Sequence, residues 1–293
     1  MTPQPAKANP GSDSAEIVPG AGSLSIGGSP ATLLLGTSGY VALLDVLGFR
    51  GLIGSDRNNS AVITYLGTME RSLANSEIES IVFSDSIVLT KTGREPDSLH
   101  ALCEICSRLM YELISVDIPV RGAIAYGNFV RSHIGTSVFL AGGPILEAYD
   151  YEKKQDWIGM MLTRSAIKEA HEIDFPKTCT TALYNDEAFP NLADALKWKA
   201  YVQRARIPLH GDSHDGFAIV PGGATSLREM TTNLAKMLER LEWLKIVAPT
   251  PADQRKYSHT IEWLKATLLS TWQSRADDYE RWLKDHPPAA AEA

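Results

Sequence analysis

One carboxylate stands inside the run Tyr40-Val41-Ala42-Leu43-Leu44-Asp45-Val46, which is otherwise apolar on both faces and is broken by Gly48. A short continuous apolar run bounded by a glycine reads as a strand buried on both sides. A carboxylate in such a strand costs several kcal/mol if it is left unpaired, or else it takes up a proton. Asp45 therefore needs a compensating partner, and a bound metal ion supplies one.

A second acidic residue lies forty positions further on. Between Glu77 and Thr90 the blocks Ile81-Val82-Phe83 and Ile87-Val88-Leu89 flank Ser84-Asp85-Ser86, which predicts a hairpin with Asp85 at its tip. Taken alone, Asp85 is an ordinary turn residue. A polar helical stretch from about Asp56 to Ala74 precedes the hairpin. An amphipathic helix from about Pro96 to Val116 and a strand from Pro119 to Tyr126, ending at Gly127, follow it. Strand, helix, hairpin, helix, strand is the ferredoxin-like order of an α+β sandwich.

Beyond Gly127 the pattern predicts a helix from Gly142 to about Lys154, a strand from Trp157 to Met161 and a helix from Thr163 to Glu172. Strand-like segments follow at Lys197 to Pro208 and Gly216 to Val220. Periodic Leu and Trp across Leu227 to Val247 and Ile261 to Leu283, around the breakers Pro249 and Pro251, predict a C-terminal helical hairpin. Trp243, Trp263, Trp272 and Trp282 fall at helical spacing and read as packing residues. The Pro-, Gly- and Ser-rich residues 1–37 are expected to form a disordered tail, with a folded domain over 38–221, a helical extension over 224–285 and a frayed tail over 286–293.

A net charge of −7 over 293 residues argues against a duplex-binding surface, which needs concentrated Lys and Arg, so no nucleic-acid partner is expected. An anionic small ligand would then require a metal or a local basic pocket. No apolar run approaches the roughly 20 residues that span a bilayer and no signal pattern opens the chain, so a cytoplasmic protein without a membrane partner is expected. Of three cysteines, Cys103 and Cys106 form a CxxC inside the helical run Leu102, Ile105, Leu109, Leu113, which reads as core packing because no second CxxC completes a zinc site. His210 and His214 have HxxxH spacing, but Gly211 between them disfavours the helix a zinc pair needs.

The segments Leu44-Asp45-Val46-Leu47-Gly48-Phe49 and Phe83-Ser84-Asp85-Ser86 resemble the metal-binding pair of class III nucleotidyl cyclases. Val120-Arg121-Gly122-Ala123-Ile124-Ala125-Tyr126-Gly127, Gly142-Gly143-Pro144-Ile145-Leu146-Glu147-Ala148 and Ile207-Pro208-Leu209-His210-Gly211 resemble later cyclase segments, so the likeness spans roughly residues 40–220. It implies a class III cyclase sandwich over 38–221 that binds two divalent ions, Mn2+ or Mg2+. Asp45 and Asp85 are the implied catalytic carboxylates, and Asp45, Val46 and Asp85 the implied metal set. Hard oxygen ligands of this kind suit those ions when a triphosphate shares them. Gly48 and Phe49 can turn main-chain N–H groups toward an anion. With Arg50 and Arg121 they form the expected phosphate-binding group.

The match departs from purine cyclases at the base. Ile81 and Phe139 (or Leu140) stand where charged or polar base-reading residues are usual, which removes hydrogen bonds and volume and favours a smaller base. The positions of the usual transition-state Asn and Arg fall on Leu146 and Asp150, and the triphosphate-binding Arg and Lys positions on Asn128 and His210. Arg50, Arg121, Lys153, Lys154 and Arg204 are candidate replacements. The combined motifs resemble the pyrimidine cyclases of bacterial Pycsar antiphage defence. This implies a homodimer with interfacial sites that converts UTP to cyclic UMP, whose product activates a separate effector protein. Cytidylate cyclase and an inactive nucleotide-sensing module are the alternatives. A diguanylate cyclase is disfavoured because its Gly-Gly-Asp/Glu-Glu-Phe signature is absent.

Overall fold

The computed structural model describes residues 34–55, 59–172, 202–222 and 227–265. Its first half follows the expected order. Strand β1 (Leu34–Val46) is followed by helices α1 (Phe49–Ser55) and α2 (Ser60–Leu73), the hairpin β2 (Glu79–Phe83) and β3 (Ser86–Thr92), helix α3 (Pro96–Ser115) and strand β4 (Val120–Ile134). The sheet runs β2-β3-β1-β4, with β1 antiparallel to both β3 and β4. That is the ferredoxin-like arrangement, and β1 lies at its centre, as a strand apolar on both faces must.

The sheet then extends. Strand β5 (Ser137–Gly142) turns back along the far half of β4 and leads directly into α4 (Gly143–Lys154). Strand β6 (Met160–Leu162) pairs in parallel with β4, α5 (Arg164–Glu172) follows, and the hairpin β7 (Val202–Leu209) and β8 (Asp212–Ile219) closes the edge through β8 on β6. Arg121 on β4 is held by Glu152, so α4 covers the face that carries Asp45. Tyr40 lies on the opposite face, near Cys103 of α3 and Glu169 of α5.

Several boundaries differ from the sequence reading. Strand β1 already begins at Leu34, inside the segment expected to be a tail. The helix expected from about Asp56 to Ala74 is present as α2, which starts after Asn59 (φ 55°), and a further short helix that the sequence reading did not expect, α1, starts immediately after Gly48. Strand β4 does not end at Gly127 but continues to Ile134 and pairs with a strand, β5, that the sequence pattern hid. Cys103 and Cys106 are buried in the core, as expected of packing residues. His214 lies on a strand opposite Ile207, which rules out a helical pair with His210.

The C-terminal helical hairpin is present as α6 (Leu227–Val247) and α7 (Pro251–Trp263). Pro251 is not a breaker inside the turn but occupies the first turn of α7, where a missing N–H costs nothing, and Thr250 caps that helix by accepting from Asp253 N–H at 3.1 Å. The second helix therefore starts ten positions before the expected Ile261. Trp263 packs edge-on against Trp157 at 4.8 Å, while Trp243 remains largely exposed beneath Arg240. Trp272, Trp282 and Cys179 lie outside the described residues.

Strand β4 lies so close against β1 at Gly122 that an added Cβ would lie 2.3 Å from the Leu43 carbonyl oxygen and 3.1 Å from Leu44 Cα. Backbone cannot yield as a side-chain tip does. We expect Gly122→Ala to destabilise the protein by about 3 kcal/mol, read as a lowered urea midpoint. An unchanged midpoint would show that the strands are not in this contact.

Candidate active site

The register brings the two expected carboxylates to one end of neighbouring strands. Phe83 pairs with Ser86, Ser86 with Asp45 and Asp45 with Arg121, so these four share a row across β2, β3, β1 and β4. Asp85 lies in the two-residue turn beside that row, after Ser84, which takes a left-handed φ of 56°. Val46 N–H donates to the Asp85 carbonyl at 2.8 Å and fixes the turn against the end of β1. Val46 itself is buried at 3% exposure.

Asp45 faces a buried polar cluster. Arg121 Nη2 lies 3.8 Å from its carboxylate, Arg121 Nε donates to Glu152 Oε1 at 2.6 Å, and Arg121 Nη1 donates to the Gln155 carbonyl at 3.0 Å. The Gln155 side chain donates to the Gly122 carbonyl at 2.8 Å and accepts from Trp157 Nε1 at 2.7 Å. Burial pushes the Asp45 carboxyl above its ordinary 3.8; Arg121 and Lys153 oppose the shift and Asp85 adds to it. Burial likewise raises Glu152 above its ordinary 4.5, with Arg121 opposing and Asp45 adding. Two carboxylates thus share one guanidinium in a poorly hydrated place.

Gly48 has a φ of 75° and is exposed; its carbonyl accepts from Gly51 and Leu52 as α1 begins. Phe49 is buried and packs edge-on against Tyr65 at 5.9 Å, while Arg50 is exposed on the first turn. Ile81 lies on β2 opposite Val88, on a row that crosses β4 at Ala123, whereas Phe139 lies on β5 opposite Ser132, so the register puts them on different rows. Leu146 and Asp150 are both exposed on α4. Asn128 accepts from Ser38 Oγ at 2.6 Å, and His210 Nδ1 lies 3.6 Å from Asp156. Lys153 lies 3.8 Å from Glu152, Lys154 stands over the Tyr151 ring, and the Arg204 side chain lies outside the described residues.

Sequence reasoning missed Glu152, Gln155 and Tyr65. Glu152 reads as surface charge in Tyr-Glu-Lys-Lys, yet Pro144, Ala148 and Glu152 are the buried positions of α4, a spacing of four that marks one helix face. That periodicity was the available signal.

A divalent ion fits this end of the sheet. Asp45 is desolvated and only partly compensated, Asp85 lies close enough to act on it, and carboxylate oxygens are the donors Mg2+ and Mn2+ take. Among the described residues no group of three His, Cys, Asp or Glu side chains is placed to hold a metal ion, so further ligands would come from backbone, water or substrate.

No protein-family model and no curated protein matches the chain. Solved structures with a similar fold include the adenylyl cyclase CyaB from P. aeruginosa, at TM-score 0.45 and 10% identity over 63% of this chain and 94% of that one. The guanylyl cyclase domain of the RhoGC fusion protein from Blastocladiella emersonii matches at 0.40 and 12%, over 46% of this chain and 84% of that one. The catalytic core of a rhodopsin-guanylyl cyclase with converted specificity matches at 0.40 and 10%, over 65% and 98%. No helix among the described residues is long and apolar enough to cross a membrane.

Asp45 and Glu152 keep their protons to higher pH folded than unfolded, so the folded chain binds more protons across that window. Linkage then makes the contribution of these two groups to stability fall as pH rises above the ordinary carboxylate range. In metal-free protein the unfolding temperature of the wild type relative to Asp45→Asn should fall between about pH 4 and about pH 7. Parallel profiles would show that Asp45 carries no such penalty.

Proposed function

We propose that the chain is a nucleotidyl cyclase of the class III kind, converting UTP to 3′,5′-cyclic UMP and pyrophosphate. The observation that supports it most is the convergence of Asp45 and Asp85 at one end of β1 and β3, beside a guanidinium already committed to a buried carboxylate. Asp45, Asp85 and the Val46 backbone would hold two divalent ions, Mn2+ or Mg2+. Bound there, these ions would lower the pKa of the ribose 3′-hydroxyl and neutralise phosphate charge. Arg121, fixed by Glu152 and Gln155, orients the Asp45 carboxylate and keeps positive charge beside it. Arg50, exposed where α1 leaves the Gly48 turn, is a basic group placed to meet phosphate oxygens with the Gly48-Phe49 backbone.

A homodimer completes the proposal. Phe83 is 79% exposed on the same row as Asp45, and Leu146 on α4 is 69% exposed. A second copy covering this face would bury both and could supply groups that one copy lacks. The base would meet Ile81 and Phe139, apolar side chains that offer a purine edge no charged partner. CTP is the alternative substrate. In this reading the cyclic nucleotide signals infection by activating a separate effector protein. A nucleotide-sensing module without turnover is the second reading, favoured by Leu146 and Asp150 at the positions where cyclases carry Asn and Arg.

Mass spectrometry of products from all four triphosphates with Mn2+ tests the proposal, and cyclic UMP is the expected main product. Asp45→Ala or Asp85→Ala should abolish turnover while leaving the protein folded. Cyclic CMP as main product would replace only the base assignment. Binding without pyrophosphate release would favour the sensor, and an active Asp45→Ala would overturn the metal assignment.

A further inference from the structure

We propose that Tyr65 is a positioning residue for Asp85, its buried hydroxyl donating to that carboxylate when the metal site fills. The inference rests on the metal reading above. Tyr65 is 1% exposed, and its hydroxyl finds no hydrogen-bond partner among the described residues. An unpartnered buried hydroxyl is destabilising, so a phenylalanine would be the more stable choice if packing were its sole role.

The surroundings say what the hydroxyl is for. Tyr65 opens the inward face of α2, which continues through Thr68, Met69 and Ser72 at helical spacing. Its ring is packed edge-on by Phe49, the first residue of α1, four positions after Asp45. Asp85 is the charged group acting on the phenol, and burial together with that negative charge raises its pKa well above the ordinary 10.0. A phenol O–H is a hydrogen-bond donor, and Asp85 is the carboxylate whose charge reaches it. Hydrogen bonds to a ligating carboxylate fix which of its oxygens faces the ion, and losing one commonly weakens metal affinity about 10–100-fold.

The test compares wild type, Tyr65→Phe and Tyr40→Phe, by Mn2+ titration followed by electron paramagnetic resonance. Each titration includes the 3′-deoxy form of the triphosphate that the wild type cyclises, which can bind but cannot close the ring. Tyr40 is the control: its buried hydroxyl is also unpartnered, but it lies five positions before Asp45 on β1, and the charges that act on it are those of Glu169 and Arg94, not Asp85. We expect Tyr65→Phe to weaken Mn2+ binding about 10-fold or more with an unfolding temperature equal to or above wild type, and Tyr40→Phe to leave Mn2+ binding unchanged. Equal Mn2+ affinity in wild type and Tyr65→Phe overturns the inference alone. A loss of equal size in both variants also overturns it, because the effect would then be general. A wild type that cyclises no triphosphate, or that holds no Mn2+ beside the analogue, overturns the metal reading and this inference with it.

Discussion

The buried guanidinium of Arg121 organises this end of the molecule. It reaches three acceptors from three parts of the chain: Asp45 on the central strand, Glu152 near the end of α4 and the carbonyl of Gln155. A charge that is 8% exposed is tolerable only with such partners, and removing one partner of a buried pair costs about 3–5 kcal/mol because the other is left uncompensated. Glu152 sits at 1% exposure and spends its 2.6 Å contact on the guanidinium; Asp45 is left at 3.8 Å. With Asp45, Asp85 and Glu152 ionised against Arg121 and Lys153, the cluster keeps one net negative charge. That imbalance is what a divalent ion would relieve.

The same cluster is joined to the C-terminal helices by four consecutive residues, 155–158. Gln155 serves Arg121 on one side, and Asp156 binds α7 on the other. Arg255 donates to the Asp156 carboxylate at 2.7 and 3.3 Å, and His259 Nδ1 donates to its backbone carbonyl at 2.7 Å. Thr260 Oγ1 accepts from Ile158 N–H at 2.7 Å and donates to the Ile158 carbonyl at 3.0 Å, so both backbone groups are satisfied by one side chain. Trp157 against Trp263 seals the contact with apolar surface. The helical hairpin therefore braces the strap that holds Arg121, and is not an independent appendage.

How much was legible follows from what each element advertises. A carboxylate in an apolar strand and a small polar turn between two apolar blocks are local patterns, and both appear where Asp45 and Asp85 predicted them. Strand β5 carries Phe139 and Val138 largely exposed, so it lacks the alternation that marks a half-buried strand, and its pairing with β4 is decided by the turn at Gly135. Glu152 was hidden for the opposite reason. Its burial is set by a partner thirty-one positions away, and no window of sequence holds both. Pro251 misled because a proline signals either the end of a helix or its first turn, and the capping Thr250 distinguishes the two only once the chain is folded.

The β2–β3 hairpin ties the candidate metal site to the surface of the molecule. Its turn is pinned to β1 by the bond from Val46 N–H to the Asp85 carbonyl, which fixes where the Asp85 carboxylate can reach. Its outer strand is a sheet edge that exposes Val82 and Phe83, with charge only at its start in Glu79, so the edge has little of the protection that solitary edges carry. Phe83 and Asp85 are separated only by Ser84, and a hairpin joined by two residues moves as a unit. Any partner that covers Phe83 therefore also constrains the carboxylate beside it. In the homodimer proposed above, association would bury exposed apolar surface and restrict the position of Asp85 in the same step, so that the site would be better ordered in the dimer than in the single chain.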